Sequence, residues 1–206
     1  SFYLLGNPFF WLTIPFPNEF VPYLMAPLMI LKLACAAVTG YAYIRRFTAT
    51  AKFAMIGGLL YAFSGFNIYN IFFNHFLEVA VFFPLLLIGL EEFVLNRRRG
   101  VFALTVCLCA VVNYYFFVAE AIFTILYFLV RLVSPEFRKG VTVKSFLLLA
   151  FETLVGFFGA MFILLPSILA LMGNYRIGEH LSGFNLILYD RVQRYGLILE
   201  SLFFPP

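Results

Sequence analysis

Apolar residues come in long blocks separated by short basic or polar breaks, and this spacing predicts a bundle of membrane-crossing helices. Val21–Ile44 runs apolar up to Arg45-Arg46, residues 53–73 form a second block, and residues 76–95 form a third that ends at Arg97-Arg98-Arg99. Each is close to the roughly 20 residues a helix needs to cross the hydrocarbon. Residues 145–171 form another, with Glu152, the small pair Gly156 and Gly159, and Pro166 inside it. Residues 1–20 differ: they are rich in Phe and Pro, carry Trp11, and are broken at Gly6-Asn7-Pro8 and Pro15-Phe16-Pro17-Asn18. Too interrupted to span, they predict a segment lying at the membrane interface.

Residues 101–133 are too long for one crossing, since a single helix would measure on the order of 50 Å. Charge decides how the stretch divides. Arg97 to Arg99 precede it, and Arg131, Arg138, Lys139 and Lys144 follow it. If both clusters are cytoplasmic, the stretch crosses an even number of times, as two short helices of about 25 Å each. They meet near Asn113-Tyr114-Tyr115. Adding Arg45, Arg46 and Lys52, ten of the fourteen basic residues then lie on one side. The expected fold is all-α, a polytopic bundle of about six spans over residues 21–171. Residues 1–20 and 172–206 fall outside the membrane, with both ends extracytoplasmic.

Composition agrees with this solvent. Hydrophobic residues make up 64% of the 206 and charged residues 12%, with mean hydropathy +0.98; soluble domains hold about 45–50% apolar and about 25% charged residues. The formal charge of +4 is mostly topological, which leaves no nucleic-acid reading. Cys35, Cys107 and Cys109 all sit in apolar runs, as small buried thiols do. Ser1 at one end and the Phe-Phe-Pro-Pro run at the other are expected of an internal piece of a longer protein.

Polar groups in or near a bilayer are costly unless paired, so they are the first functional candidates. Asn67, Asn70 and Asn74 recur at helical spacing towards the outer turn, where His75 and Glu78 follow. The asparagines suit either helix capping or a site, whereas an imidazole and a carboxylate at a water-accessible mouth can orient each other and exchange protons. Asn113, Tyr114, Tyr115 and Glu120 surround the next outer turn. Deeper, Lys32 and Glu152 are expected to pair across helices, as a structural ion pair or a relay. Glu78, Glu120, Glu179 and Asp190 offer the oxygen ligands that a divalent cation prefers. In the tail, Arg176, Arg191 and Arg194 with Tyr175, Tyr189 and Tyr195 read either as an anion cradle or as ordinary loop charges.

The runs Asn7-Pro8-Phe9-Phe10-Trp11-Leu12 and Phe16-Pro17-Asn18, then Tyr61-Ala62-Phe63-Ser64-Gly65-Phe66 and Phe73-Asn74-His75-Phe76, resemble the bacterial YfhO membrane-protein family. Asn113-Tyr114-Tyr115-Phe116-Phe117 and Gly178-Glu179-His180 are compatible with it. The resemblance covers essentially the whole chain, in the family's N-terminal half. It implies a GT-C-type glycosyltransferase of the bacterial cytoplasmic membrane, similar to enzymes that use a polyprenyl-phosphate-linked sugar donor on the outer face. The acceptor it implies is a cell-surface glycopolymer or lipid such as lipoteichoic acid. The family's principal acidic residue lies in a first outer loop of which only the end, through Glu19, is present. His75 and Glu78 then fall in the second outer loop, and Tyr114, Tyr115 and Glu120 in the third. The site residues expected are therefore His75, Glu78 and Glu120 as catalytic groups. Asn70, Asn74, Tyr114, Tyr115, Arg176, Arg191 and Arg194 are expected to bind substrate, together with membrane lipid. A transporter or lipid flippase is the alternative, motivated by Lys32, Glu152, Pro166 and the interrupted fourth and fifth segments.

Overall fold

The computed structural model describes residues 5–172 and Gly196, and every regular element among them is helical. The chain divides into two compact units, Ser1–Ser167 and Ile168–Pro206. Arg176, Arg191, Arg194, Glu179, His180 and Asp190 lie outside the described residues.

In the first unit, α1 (Pro8–Trp11) leads into the long α2 (Val21–Ile44). Next come α3 (Ala51–Ala62), the short α4 (Gly65–Tyr69), two 3-10 turns, and α5 (Leu77–Leu95). Helices α6 (Val101–Val112) and α7 (Tyr114–Arg131) meet at Asn113. The short α8 (Pro135–Gly140) precedes α9 (Val143–Gly159), and α10 (Met161–Met172) follows. The division of residues 101–133 at Asn113 matches the sequence expectation. Residues 53–73 are broken: α3 stops at Ala62, and Ser64 starts a new helical segment.

Helical stretches long and apolar enough to cross a bilayer are Asn18–Ile44, Ala51–Phe72 and Tyr114–Arg131. Val143–Gly159 with Met161–Ala170 adds a fourth if that pair, bent by 64°, is one span. Six spans is therefore a loose count. Helix α6 has only 12 residues. Helix α5 has 19 but carries Glu78, Glu91 and Glu92.

Those carboxylates are tolerated because α5 is the hub of the bundle, packed by α2 and α6 and touched by α7 and α8. Leu86, Leu90, Phe93 and Val94 of α5 pack with Phe102, Val106 and Cys109 of α6, Phe137 of α8 and Leu149 of α9 in the main core. The outer faces of α2, α3, α7 and α9 carry exposed Ile, Leu, Phe and Val, the pattern of helices solvated by lipid.

Glycine sets how closely some elements approach. A Cβ on Gly156 would stand 2.4 Å from the Ala103 carbonyl oxygen, so α9 lies directly against α6. A Cβ on Gly6 would stand 1.9 Å from the Val111 oxygen, so the N-terminal segment is pressed onto the end of α6. That segment is more than an interfacial strip. Phe9 is buried in a cluster with Ala36, Ala62, Ala80 and Val81, and Asn7 caps α1 by accepting the Phe9 N–H at 2.8 Å.

The C-terminal end of α5 is tied by charge. Arg131 gives Glu91 a two-pronged contact, Nε to Oε1 at 2.6 Å and a terminal nitrogen to Oε2 at 3.0 Å. Tyr127 donates to the same carboxylate at 2.5 Å. Glu92 pairs with Arg46 and, at 3.3 Å, with Arg98. The basic residues there join the α2–α3 and α5–α6 turns and the end of α7 into one network, a geometry that favours ion pairs.

Candidate functional site

At the other end of α5 the arrangement is different. Glu78, its second residue, is 1% exposed, and Lys32 of α2 is 3% exposed. Lys32 Nζ donates to Glu78 Oε1 at 2.6 Å, and Asn7 Nδ2 donates to the same oxygen. The Lys32 ammonium also lies 5.5 Å from the centre of the Phe9 ring. Two buried charges are retained here because each has the other, and the carboxylate has an amide as well.

This pairing corrects the expected Lys32–Glu152 pair. Glu152 instead accepts the Gly100 N–H at 2.8 Å and the Ala103 N–H at 3.3 Å. It caps the first turn of α6, where Gly100 is exposed and Ala103 is buried. The first amides of a helix have no acceptor within it. The α9 carboxylate supplies one, and the negative charge also suits the helix N-terminus.

Around the Lys32–Glu78 pair is a cavity of about 260 Å³, which His75 also lines. Val21, Met25, Leu28 and Lys32 descend one face of α2 at i, i+4, i+7 and i+11 and form one wall. Asn7, Phe9, Phe10 and Thr13 form another. His75 sits in the 3-10 turn Asn74–Phe76, edge-on to Phe76 at 4.5 Å. Its carbonyl accepts from Asn113 Nδ2 at 3.3 Å, while Asn113 Oδ1 caps α7 through the Phe116 N–H. Asn113 thereby fixes the α6–α7 turn to the His75 turn. Burial, and then the Lys32 charge, hold the imidazole below its ordinary pKa. At neutral pH it is an unprotonated base beside a paired carboxylate.

The structure thus brings His75 and Glu78 to one cavity. Asn70 does not line it: it donates to the Phe66 carbonyl at 2.8 Å, one turn back along the chain. Asn67 similarly donates to the Tyr61 and Ala62 carbonyls at the end of α3. Asn74 opens the turn that holds His75. Tyr114 packs on a cluster of Ala110, Ala160 and Leu164, and Tyr115 is exposed. Glu120 is buried on α7 and does not line the cavity.

Two residues of this site were not expected from the sequence. Asn7 looked like a turn former, and Lys32 like a partner for Glu152. Lys32 is the one charged residue of its apolar block and Glu78 the one charged residue in the first half of its own, which is the signal that could have found the pair.

For the divalent cation, no three His, Cys, Asp or Glu residues converge among the described residues. The donor set around the cavity is one carboxylate, one imidazole and an ammonium, and the ammonium already holds the carboxylate oxygen. That described set does not fit a hard dication; Glu179 and Asp190, the other oxygen ligands expected from the sequence, lie outside the described residues.

No curated protein and no solved structure matches the chain. A family model described as bacterial membrane protein YfhO matches residues 1–192. The chain belongs to the YfhO family of bacterial membrane proteins.

Proposed function

We propose that the chain is part of a GT-C-type membrane glycosyltransferase. In this reading it moves a sugar from a polyprenyl-phosphate-linked donor to a cell-surface polymer or lipid, such as lipoteichoic acid, on the extracytoplasmic face. The observation that carries the reading is the polar cavity at the end of α5 remote from the arginine network. There a neutral imidazole stands beside the Lys32–Glu78 pair in an otherwise apolar bundle.

The chemistry asks for few groups. An acceptor hydroxyl gives its proton to His75, and its oxygen bonds to the anomeric carbon. The bond from that carbon to the donor phosphate breaks, and polyprenyl phosphate leaves with the electron pair. A hydroxyl attacking opposite the leaving group inverts the anomeric centre. Glu78 and Lys32, paired with each other, fix the polar lining around His75.

The test is sugar transfer from a polyprenyl-phosphate donor by the purified full-length protein, compared at matched folded amounts. His75→Ala is expected to lower the rate by about 10²–10⁴, the usual size of a general acid–base contribution, and Glu78→Gln, which leaves Lys32 without its counter-charge, is expected to lower it by a smaller factor. Near-wild-type rates in both variants would refute the assignment and leave these residues as structural. The 64° break between α9 and α10 favours a second reading, a transporter or flippase, because broken helices line transport paths. Donor consumption without lipid or solute translocation in proteoliposomes separates the two.

A further inference from the structure

A second cavity, of about 660 Å³, lies between α7 and α9 with α5 and α6 as its floor. Its lining is hydrocarbon: Leu86, Val106, Ala121, Phe128 and Phe146 are representative. The two hydroxyls it includes are turned back to their own helices. Thr124 donates to the Glu120 carbonyl at 2.7 Å and Thr153 to the Leu149 carbonyl at 2.9 Å. With both donors satisfied internally, the groove offers nothing to water or to a polar ligand.

Its position along the bundle restricts the occupant. The lining runs from Phe117 to Leu129 on α7 and from Phe146 to Leu154 on α9, about 18 Å and about 12 Å of helix. That is close to one leaflet, half of the roughly 30 Å hydrocarbon core, and too short for a spanning helix. On α6 only Phe102 and Val106, near its start, take part. The groove therefore reaches the basic end of the bundle, and on α7 it runs to within one turn of the opposite end.

The basic end is closed by aromatic rings, and three cations are their close neighbours in sequence. Phe128 of α7 stands 5.6 Å from Phe137 of α8 and 6.3 Å from Phe146 of α9, centroid to centroid. Arg138 and Lys139 follow Phe137 directly, and Lys144 precedes Phe146 by two residues. All three cations are exposed, and none joins an ion pair among the described residues. Glu136 is the only carboxylate on α8, so this stretch of the chain is net positive.

We propose that this groove is a binding site for an anionic phospholipid of the leaflet at the basic end, which the positive-inside rule makes the cytoplasmic one. An acyl chain lies between α7 and α9, and the head-group phosphate is drawn by Arg138, Lys139 and Lys144. The site is separate from the polar cavity, and its ligand comes from the opposite leaflet to the sugar donor. Basic residues at an anionic surface act roughly additively, so three of them predict a preference on the order of tenfold to hundredfold for an anionic over a zwitterionic head group.

The experiment uses the full-length protein in nanodiscs of phosphatidylcholine containing phosphatidylglycerol, with retained lipid counted by native mass spectrometry. Wild type is expected to retain phosphatidylglycerol at least about tenfold above its bulk share. The exposed triple variant Arg138→Gln, Lys139→Gln, Lys144→Gln is expected to lose that preference while still holding phosphatidylcholine. Ala150→Phe, which fills the groove from an exposed position, is expected to lose both lipids. Equal retention of the two lipids by wild type would overturn the proposal. So would unchanged phosphatidylglycerol in both variants, or its displacement by equimolar polyprenyl phosphate. If a helix from the rest of the chain fills the groove, a nitroxide on Ala150→Cys is not quenched by lipid-borne quenchers, which also overturns it.

Discussion

Replacing Lys32 with methionine removes one charge of a buried pair and leaves its side-chain volume nearly unchanged. Lys32 Nζ and Glu78 Oε1 are 2.6 Å apart, which at an effective dielectric of about 20 is worth about 6 kcal/mol of attraction. Most of that is offset by the desolvation of the two ions, so the intact pair contributes little net stability. Breaking it is another matter. Glu78 would keep the Asn7 amide but lose its counter-charge in a site with 1% exposure, and removing one partner of such a pair typically costs about 3–5 kcal/mol. The double variant Lys32→Met, Glu78→Gln carries no orphaned charge. It is expected to be more stable than Lys32→Met alone, with a coupling of about 1–3 kcal/mol. Chemical unfolding of the purified full-length protein in mixed micelles, run as a double-mutant cycle, measures both quantities. A Lys32→Met variant within about 0.5 kcal/mol of wild type, or strictly additive losses, would refute the claim that the pair holds this end of the bundle together.

Three further expectations follow from the same geometry. Because burial and Lys32 lower the His75 pKa, transfer that needs neutral His75 holds its rate at pH 7 and falls only as pH drops below the ordinary value of 6.5. The same group stabilises the fold above that pH and loses the contribution as pH falls, since the unfolded chain binds the proton more readily. A pH–rate profile whose acid limb lies above 6.5 would contradict this. Glu152→Leu removes the acceptor of the buried Ala103 amide and of the part-buried Gly100 amide and is expected to cost about 1–3 kcal/mol. Glu152→Gln, which keeps an acceptor, should lose clearly less, and equal losses in unfolding experiments would count against capping. Reporter fusions after Arg99 and after Gly183 should give cytoplasmic and external signals respectively, and the same signal from both would sink the orientation.

The helices that were legible in the sequence are those whose boundaries are written in charge or length. Helix α2 ends at its arginines, and the α6–α7 break at Asn113 follows from the need for an even number of crossings between two basic clusters. The ion pairs were less legible because depth in an apolar block is a poor guide to where a helix starts. The first amides of α6 have no acceptor within the helix, and Glu152 serves them rather than a cation. Lys32 then turns to Glu78, whose helix starts below the first turns of α2. The break at Ser64 was hidden because the asparagines beyond it, Asn67 and Asn70, keep helical spacing, so the block reads as one helix. His75 and Glu78 were found from polarity at an outer turn. Asn7 was missed because its amide acts at a distance of 71 residues along the chain.

The cap that Glu152 places on α6 has a consequence for the order in which this protein can be assembled. Helix α6 is too short to cross a bilayer by itself, and its first amides have no acceptor until a residue some 50 positions later arrives. At a synthesis rate of about 5–20 residues per second, that wait is about 3–10 seconds. During this interval the Ala103 amide is left to water or to the insertion machinery, and the start of α6 gains its cap only when α9 arrives. A ribosome stalled between α7 and α9 would therefore leave α6 uncapped.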